Sequence, residues 1–398
     1  MAEKKRILIF INSLEIGGSE RVVSLLLNHL QHEFSIHLAV YSNIIEYDIP
    51  PGISILDLKQ PQGESRLRMF LKAPSLARRV KDYCARNGIE TVIAFLYRPC
   101  FVTALMKNWM GYRGCLIMCE RTHQTTLMKR YTPIMRFITA RTVRYAYQSA
   151  DLVLTNARAM QHDLINNLGI STPVRMINNP IDMAFIDRQA KTEPDMIFDP
   201  CIFYFISVGR FRKEKNYPLL IQAFSRIAAN NCRLIMVGGG EEMEKCIKLA
   251  GDLGVSEKVI FRGFRKNPFQ YMARSQCFIL SSDVEGYPNV LLEALACGLP
   301  VISTDCNSGP VELLEPGFTG GQLETYHEGD YGILCPVNSQ EIIAEAMEKV
   351  LNDPELMASY RSRARERAMD FNIDKVKTAF RQVFRGDFCP TGERAPAE

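Results

Sequence analysis

Short apolar runs rich in β-branched residues alternate along the chain with longer segments whose apolar positions recur every three to four residues. RILIFI (6–11) leads through NSLEIGGSE into RVVSLLLNHLQ, and SIHLAVY (35–41) precedes the helical SLARRVKDYCARNG (75–88) and then TVIAFL (91–96). CLIMCE (115–120) and DLVLTNA (151–157) are further strand-like runs separated by helical ones. This βαβα alternation predicts a parallel sheet covered on both faces. The rhythm breaks at 183–200, MAFIDRQAKTEPDMIFDP, which is polar and flanked by prolines. A second series then follows: FYFISVGR (203–210), RLIMVGGG (233–240), VIFRGF (259–264), CFILSS (277–282) and PVIST (300–304), with helical patterns between them and at 339–352 and 354–369. The expected architecture is α/β, two Rossmann-like domains facing each other across a cleft. The boundaries read as 1–182, a linker at 183–200, and a second domain at 201–372. A last helix at 373–385 has the option of crossing back to the first domain, and a disordered tail is expected at 386–398.

Composition narrows the class without naming a function. With 398 residues, 47% hydrophobic and 23% charged, the chain can bury a core in each of two domains. No apolar run approaches the length of a membrane span. The five-residue run Ile7–Ile11 is too short for the core of an export signal, so it reads as a first strand. Twelve cysteines stand singly, with no C-x-x-C pair and no Cys/His cluster, which fits reduced cytosolic thiols and no metal. The net charge of +4 hides an asymmetry: residues 1–190 hold 24 Lys/Arg against 15 Asp/Glu, and residues 191–398 hold 24 against 29. The excess concentrates at 121–149, where Arg121, Lys129, Arg130, Arg136, Arg141 and Arg144 stand among Tyr131, Phe137, Tyr145 and Tyr147 without one acid. Such a surface suits an anionic membrane; a solvated helix face has the same composition, and nothing in the fold pattern supports nucleic acid.

Four stretches carry candidate chemistry. Gly17 and Gly18 sit where the first strand turns into a helix, so they serve either a tight turn or close approach of an anionic ligand to the helix start. They do not form G-x-G-x-x-G. GRFRKEKNYP (209–218) follows the first strand of the second series and sets Arg210, Arg212, Lys213 and Lys215 on one loop, where open α/β sheets bind ligands. VGGGEE (237–242) repeats the strand–glycine–helix junction but ends in acids, a poor phosphate cradle. In SSDVEGYPNVLLEALACGLPVIS (281–303), Glu285 falls on a loop before Pro288 and Glu293 on the helix after it. Spacing alone does not decide whether these carboxylates straddle a bond or grip hydroxyls.

The ordered set of these motifs resembles the retaining glycosyltransferases of family 4, which have the GT-B fold. Glu285 and Glu293 meet the E-x7-E element, GGSER the glycine turn, GRFRKEKN the Arg/Lys element, FRGFRKNPFQYM the nucleotide-side loop and NNPID (178–182) the close of the first domain. TDCNSGPVE (304–312) is similar to the subgroup that assembles bacterial surface glycans on lipid carriers. The resemblance implies a retaining, metal-independent hexosyl transfer from a nucleotide-sugar, UDP-linked by expectation, to a lipid-linked or other membrane-proximal glycan. No cofactor is implied, and the place of action is the cytoplasmic face of the inner membrane. Arg210 and Lys215 would stabilise the departing diphosphate, Glu285 would hold the transferred sugar, and Glu293 would grip the ribose. Backbone around Tyr287, Asn289 and Val290 would bind sugar and phosphate, Arg265 and Asn267 would lie near the base, and Gly17 and Gly18 would approach the diphosphate. Where many relatives carry a histidine after the strand matching CLIMCE, this chain has Arg121, with His123 two positions later; both are acceptor-side candidates, and His123 is equally a loop histidine without a role. Two rival readings remain: a GT-B sugar-nucleotide 2-epimerase, and a non-catalytic sugar-nucleotide-binding protein.

Overall fold

The computed structural model describes residues 4–61, 63, 65–228, 231–306, 308–318 and 323–388. The chain divides into two compact units. One holds the chain up to Asn156, Met160–Pro180 and the chain from Asp374 onward; the other holds Ala157–Ala159 and Ile181–Ile373.

The first unit is built on strands β1 (Arg6–Ile11), β2 (Ser35–Val40), β3 (Ser54–Asp57), β4 (Thr91–Phe95), β5 (Cys115–Cys119), β6 (Leu152–Thr155) and β7 (Val174–Met176). They pair in the order β3-β2-β1-β4-β5-β6-β7, all parallel. Its helices are α1 (Gly18–Leu30), α2 (Arg66–Asn87), α3 (Tyr97–Met110), α4 (Gln124–Met128) and α5 (Pro133–Gln148); the short α6 (Arg158–His162) starts in the Ala157–Ala159 segment of the other unit and ends in this one. Alternation along β1 shows why the run is apolar throughout: Leu8 and Phe10 join the core under α2, α3 and α5, while Ile7, Ile9 and Ile11 join the core on the α1 side.

The second unit opens with α7 (Met183–Ala190) and carries β8 (Phe203–Val208), β9 (Cys232–Val237), β10 (Val259–Gly263), β11 (Cys277–Leu280), β12 (Val301–Thr304), β13 (His327–Glu328) and β14 (Ile333–Cys335). The order is β10-β9-β8-β11-β12-β14-β13, parallel except for the β13–β14 pair. Helices α8 (Tyr217–Ile227), α9 (Met243–Asp252), α10 (Phe269–Met272), α11 (Asn289–Ala296), α12 (Gly309–Leu314), α13 (Gln340–Asn352) and α14 (Pro354–Met369) complete it. In each unit the strand order reverses beside the first strand, between β1 and β4 and between β8 and β11. The loops leaving those strands therefore diverge to opposite faces and leave a crevice at the carboxyl edge.

The last helix, α15 (Ile373–Arg385), buries Phe380, Val383 and Phe384 in the α1-side core of the first unit. Phe384 meets Phe34 edge-on at 5.5 Å, and Arg381 grips Glu33 through two bonds of 2.5 and 2.6 Å.

Two expectations change. The segment 183–200 is not a linker throughout: α7 belongs to the second unit, with Met183 and Ile186 buried and the Asp182 carboxylate accepting the Phe185 N–H at 2.8 Å. A single apolar pair three positions apart suffices for one short amphipathic turn, too little to register in a polar stretch. Of the expected tail, Gly386–Phe388 continues the end of α15, with the Gly386 N–H donating to Gln382 and Val383 and Phe388 packing on the core. Residues 389–398 lie outside the described residues. Among the described residues no helix is long and apolar enough to cross a membrane.

Candidate active site

The switch point of the second sheet brings Lys215 and Glu285 together. Lys215 ends a 3-10 turn, Lys213–Lys215, and Asn216 then takes a left-handed conformation (φ 46°) that redirects the chain into α8. Glu285 lies on the loop between β11 and α11. The Lys215 ammonium donates to Glu285 Oε1 at 2.5 Å, and the same oxygen accepts the Ser282 hydroxyl at 2.6 Å. Three more bonds stitch the two loops: Ser281 Oγ to the Lys215 carbonyl, the Asp283 N–H to the Glu214 carbonyl, and Asn216 Nδ2 to Asp283 Oδ1. Burial opposes the charge on Lys215, but the adjacent Glu285 carboxylate outweighs it and the ammonium pKa is raised.

Arg210 stands on the same loop and lines an open cavity of about 480 Å³ with Arg212, Glu214, Gly239, Gly240 and Glu241. The glycines of VGGGEE are sterically required. Gly238 (φ 145°) lies so close to Gly209 that a Cβ there would overlap its carbonyl oxygen, and at Gly240 (φ 151°) a Cβ would meet the Phe211 carbonyl oxygen at 2.5 Å. This turn is a wall packed on the Arg210 loop, in keeping with its acidic ending. On the other side, the Ser308 hydroxyl donates to the Glu285 carbonyl (2.7 Å) and the Gly309 N–H to the Gly286 carbonyl (2.9 Å), fixing the backbone on which Glu285 is mounted. Tyr287 turns inward and is buried, its ring 6.0 Å from Phe371. Asn289 and Val290 open α11, and Glu293 lies one turn later, 8% exposed.

Arg265 and Asn267 follow β10. The Arg265 guanidinium donates to Asp195 Oδ2 (2.9 Å), the Tyr271 hydroxyl (3.3 Å) and the Phe264 carbonyl (3.1 Å). Asn267 donates to the Gln189 carbonyl and the Thr192 hydroxyl and accepts the Phe269 N–H, so its side chain latches this loop to the segment after α7. Asp195 is the unforeseen member: the Tyr271 hydroxyl, Arg262 and Arg265 converge on it and hold its carboxyl well below the ordinary range. Nothing in the surrounding polar stretch marks that acid. Ser282 and Ser308 were also missed, because serines flanking a loop look like any turn residues.

In the first unit, Gly17 caps α1 in an extended conformation (φ −172°) open to any residue, and its N–H and C=O both bond the Tyr47 hydroxyl. Arg121 is 8% exposed, stacked 5.0 Å over Phe95, and donates to Asn179 at 2.8 Å. It is held by the buried Glu120, whose carboxylate accepts from the N–H groups of Arg121 and Thr122, from Gln124 and from the Tyr147 hydroxyl. His123 Nδ1 lies 3.0 Å from the Thr126 hydroxyl and 3.4 Å from Asp163, and burial depresses its pKa despite that carboxylate. Among the described residues no group of three or more His, Cys, Asp or Glu is placed to hold a metal ion. Burial raises the thiol pKa at Cys277, Cys306 and Cys335.

Comparison with known proteins places these features in context. The family described as Glycosyl transferases group 1 matches residues 202–367, and Glycosyltransferase Family 4 matches residues 16–185. The chain is 34% identical over 376 residues to N-acetylgalactosamine-N,N'-diacetylbacillosaminyl-diphospho-undecaprenol 4-alpha-N-acetylgalactosaminyltransferase of Campylobacter jejuni, covering 93% of this chain and 96% of that protein. In fold it is similar to sucrose-phosphate synthase from Thermosynechococcus elongatus (TM-score 0.80, 17% identity, 98% of this chain and 100% of the other). It is also similar to Anabaena HepE in complex with UDP-glucose (TM-score 0.75, 19% identity, 96% and 99%). The two parallel-sheet Rossmann-like units, the switch-point loops and these matches agree: the chain belongs to the GT-B glycosyltransferases of group 1, with a family 4 N-terminal domain.

Proposed function

We propose that the protein transfers a sugar from a UDP-sugar to a lipid-linked glycan at a membrane surface, with retention of anomeric configuration and without a metal ion. The observation that carries this reading is the Lys215–Glu285 pair at the carboxyl edge of the second sheet, on a loop that also carries Arg210. Departure of a nucleoside diphosphate concentrates negative charge on its outer phosphate. Arg210 and Lys215 are preorganised cations aimed at that charge, each worth about 10²–10³ in rate. As the sugar C1–O bond to the diphosphate breaks, the acceptor oxygen bonds C1 on the same face and its proton passes to the leaving phosphate. Glu285 orients the sugar through its hydroxyls and Glu293 serves the ribose. Arg121 and His123 are assigned to the acceptor side. The undecaprenol-linked substrate in the Campylobacter relative's name supports a carrier-lipid acceptor, and the UDP-glucose bound in HepE supports a uridine donor.

A screen of UDP- and GDP-sugars by thermal shift and nucleotide release tests the reading. Stabilisation by UDP-sugars, acceptor-dependent UDP release and full activity in EDTA are expected. Interconversion of a UDP-sugar to its 2-epimer without an acceptor would overturn it, as would release strictly dependent on an added divalent ion.

A further inference from the structure

Helix α6 does not end as an α-helix. It runs on into a wider, π-helical turn over Asp163–Asn167, closed by the Leu168 N–H on the Asp163 carbonyl at 3.0 Å. Such turns are rare, occur mostly singly and gather at functional sites. The first residue of this one is an acid, and it is buried, with Asp163 only 1% exposed. Its carboxylate accepts the Thr125 N–H at 3.0 Å, the Thr125 hydroxyl at 2.5 Å and the Asn167 amide at 2.8 Å. Thr125 stands at the start of α4, on the segment that leaves the carboxyl end of β5.

The same carboxylate faces His123. The ring atom His123 Nδ1 lies 3.4 Å from Asp163 Oδ2, 3.4 Å from Thr125 Oγ1 and 3.0 Å from Thr126 Oγ1. A carboxylate taking three donors has no proton to give, and the Thr125 hydroxyl proton is already committed to it. Both therefore turn lone pairs toward the ring nitrogen, so Nδ1 carries the proton. Burial opposes an imidazolium here in spite of Asp163, and Lys129 and His162 add to that opposition, so the ring is neutral at neutral pH. In a neutral imidazole protonated on Nδ1, Nε2 is a bare acceptor. It makes no bond to the described residues, and the side chain keeps 15% of its surface exposed. The Thr125 and Asn167 bonds already tie α4 to the π-helical turn, so holding these segments together does not require the histidine. Sugar hydroxyls donate as well as accept, and a fixed lone pair on the loop that carries Arg121 suits one of them.

We propose that Asp163 is a positioning residue: by fixing the His123 proton on Nδ1, it presents Nε2 as the hydrogen-bond acceptor for a sugar hydroxyl of the glycan acceptor. The bond orients the acceptor and moves no proton. This rests on the acceptor-side reading of His123 and names the group that sets its ring.

The full chain, isotopically labelled at the histidine nitrogens, gives the first test by magnetic resonance. The His123 signals, identified by their loss in H123A, should show a protonated Nδ1 and a bare Nε2. D163N sets an amide against Nδ1, and the proton should move to Nε2. Kinetics use the UDP-sugar chosen by nucleotide release and, as probe acceptor, a farnesyl-diphosphate-linked disaccharide ending in N-acetylgalactosamine. D163N should raise the acceptor KM by about three- to tenfold and leave the donor KM unchanged. Added to H123A, the same substitution should cost nothing more, because Asp163 acts through the ring. A wild-type ring protonated on Nε2 overturns the proposal without any variant. A wild-type acceptor KM in D163N overturns it too, as does a matching rise in donor KM. An equal cost of D163N in the H123A background makes Asp163 a structural tie and has the same force. Absence of transfer by the wild type defeats the transferase reading, and the tautomer comparison then decides the role of Asp163 by itself.

Discussion

Lys215 and Glu285 hold each other with 19% and 13% of their side chains exposed, so each is the other's main counter-charge. On the proposed reading, a diphosphate arriving at Lys215 would compete with Glu285, whereas a sugar hydroxyl would meet Glu285 as a hydrogen-bond acceptor. The two substitutions should therefore separate. K215A is expected to weaken donor binding and slow transfer by about 10²–10³. E285Q is expected to slow transfer comparably while leaving donor affinity equal or tighter, because it frees the ammonium. Steady-state kinetics with calorimetric donor titration checks this, and unchanged transfer in both variants would remove the site assignment. His123 supplies a pH dependence. Its pKa in the folded protein is depressed below the ordinary 6.5 by burial. Above that value both folded and unfolded forms are neutral and the group has no effect. As pH falls through it the unfolded chain takes a proton that the folded imidazole resists, so stability declines. Thermal midpoints from about pH 7.5 to about 5.5 should fall less in H123Q than in wild type; parallel curves would place the acid sensitivity elsewhere.

At the scale of elements, the glycine turn between β9 and α9 shows a local rule serving a distant loop. Gly240 has a backbone conformation that L-residues rarely adopt and leaves no room for a methyl group against Phe211. G240A should destabilise the second unit by about 1–3 kcal/mol in urea titration and weaken donor binding through the displaced Arg210 loop. Wild-type stability with wild-type donor binding would show that the turn is not a wall of that cavity. Strands and long helices were legible because apolar periodicity is a local property of the chain. Helix α7 was not, since two buried residues among polar neighbours make too weak a pattern. The motif sets Asn267 near the base by expectation, and its side chain bonds the Gln189 carbonyl, the Thr192 hydroxyl and the Phe269 N–H at the start of α10.

For the whole molecule, the end of the chain completes the unit that its beginning starts. Phe380 is fully buried in the α1-side core, nearly the full chain length from β1. F380A should cost the first unit about 3–5 kcal/mol, read from the fluorescence of Trp109 on α3 during denaturation; an unchanged Trp109 transition would show α15 to be dispensable there. Apolar periodicity by itself determined two α/β units, and the resemblance of the ordered motifs gave the glycosyltransferase family, because each is written over a few neighbouring positions. Only the tertiary structure decided that Lys215 and Glu285, seventy positions apart, form one ion pair, that Asp195 ties a polar stretch to Arg265, and that Asp163 meets His123. Those facts depend on which strands become neighbours and which loops meet beyond them. Strand order and loop contacts are settled by packing between distant segments, which no local period records.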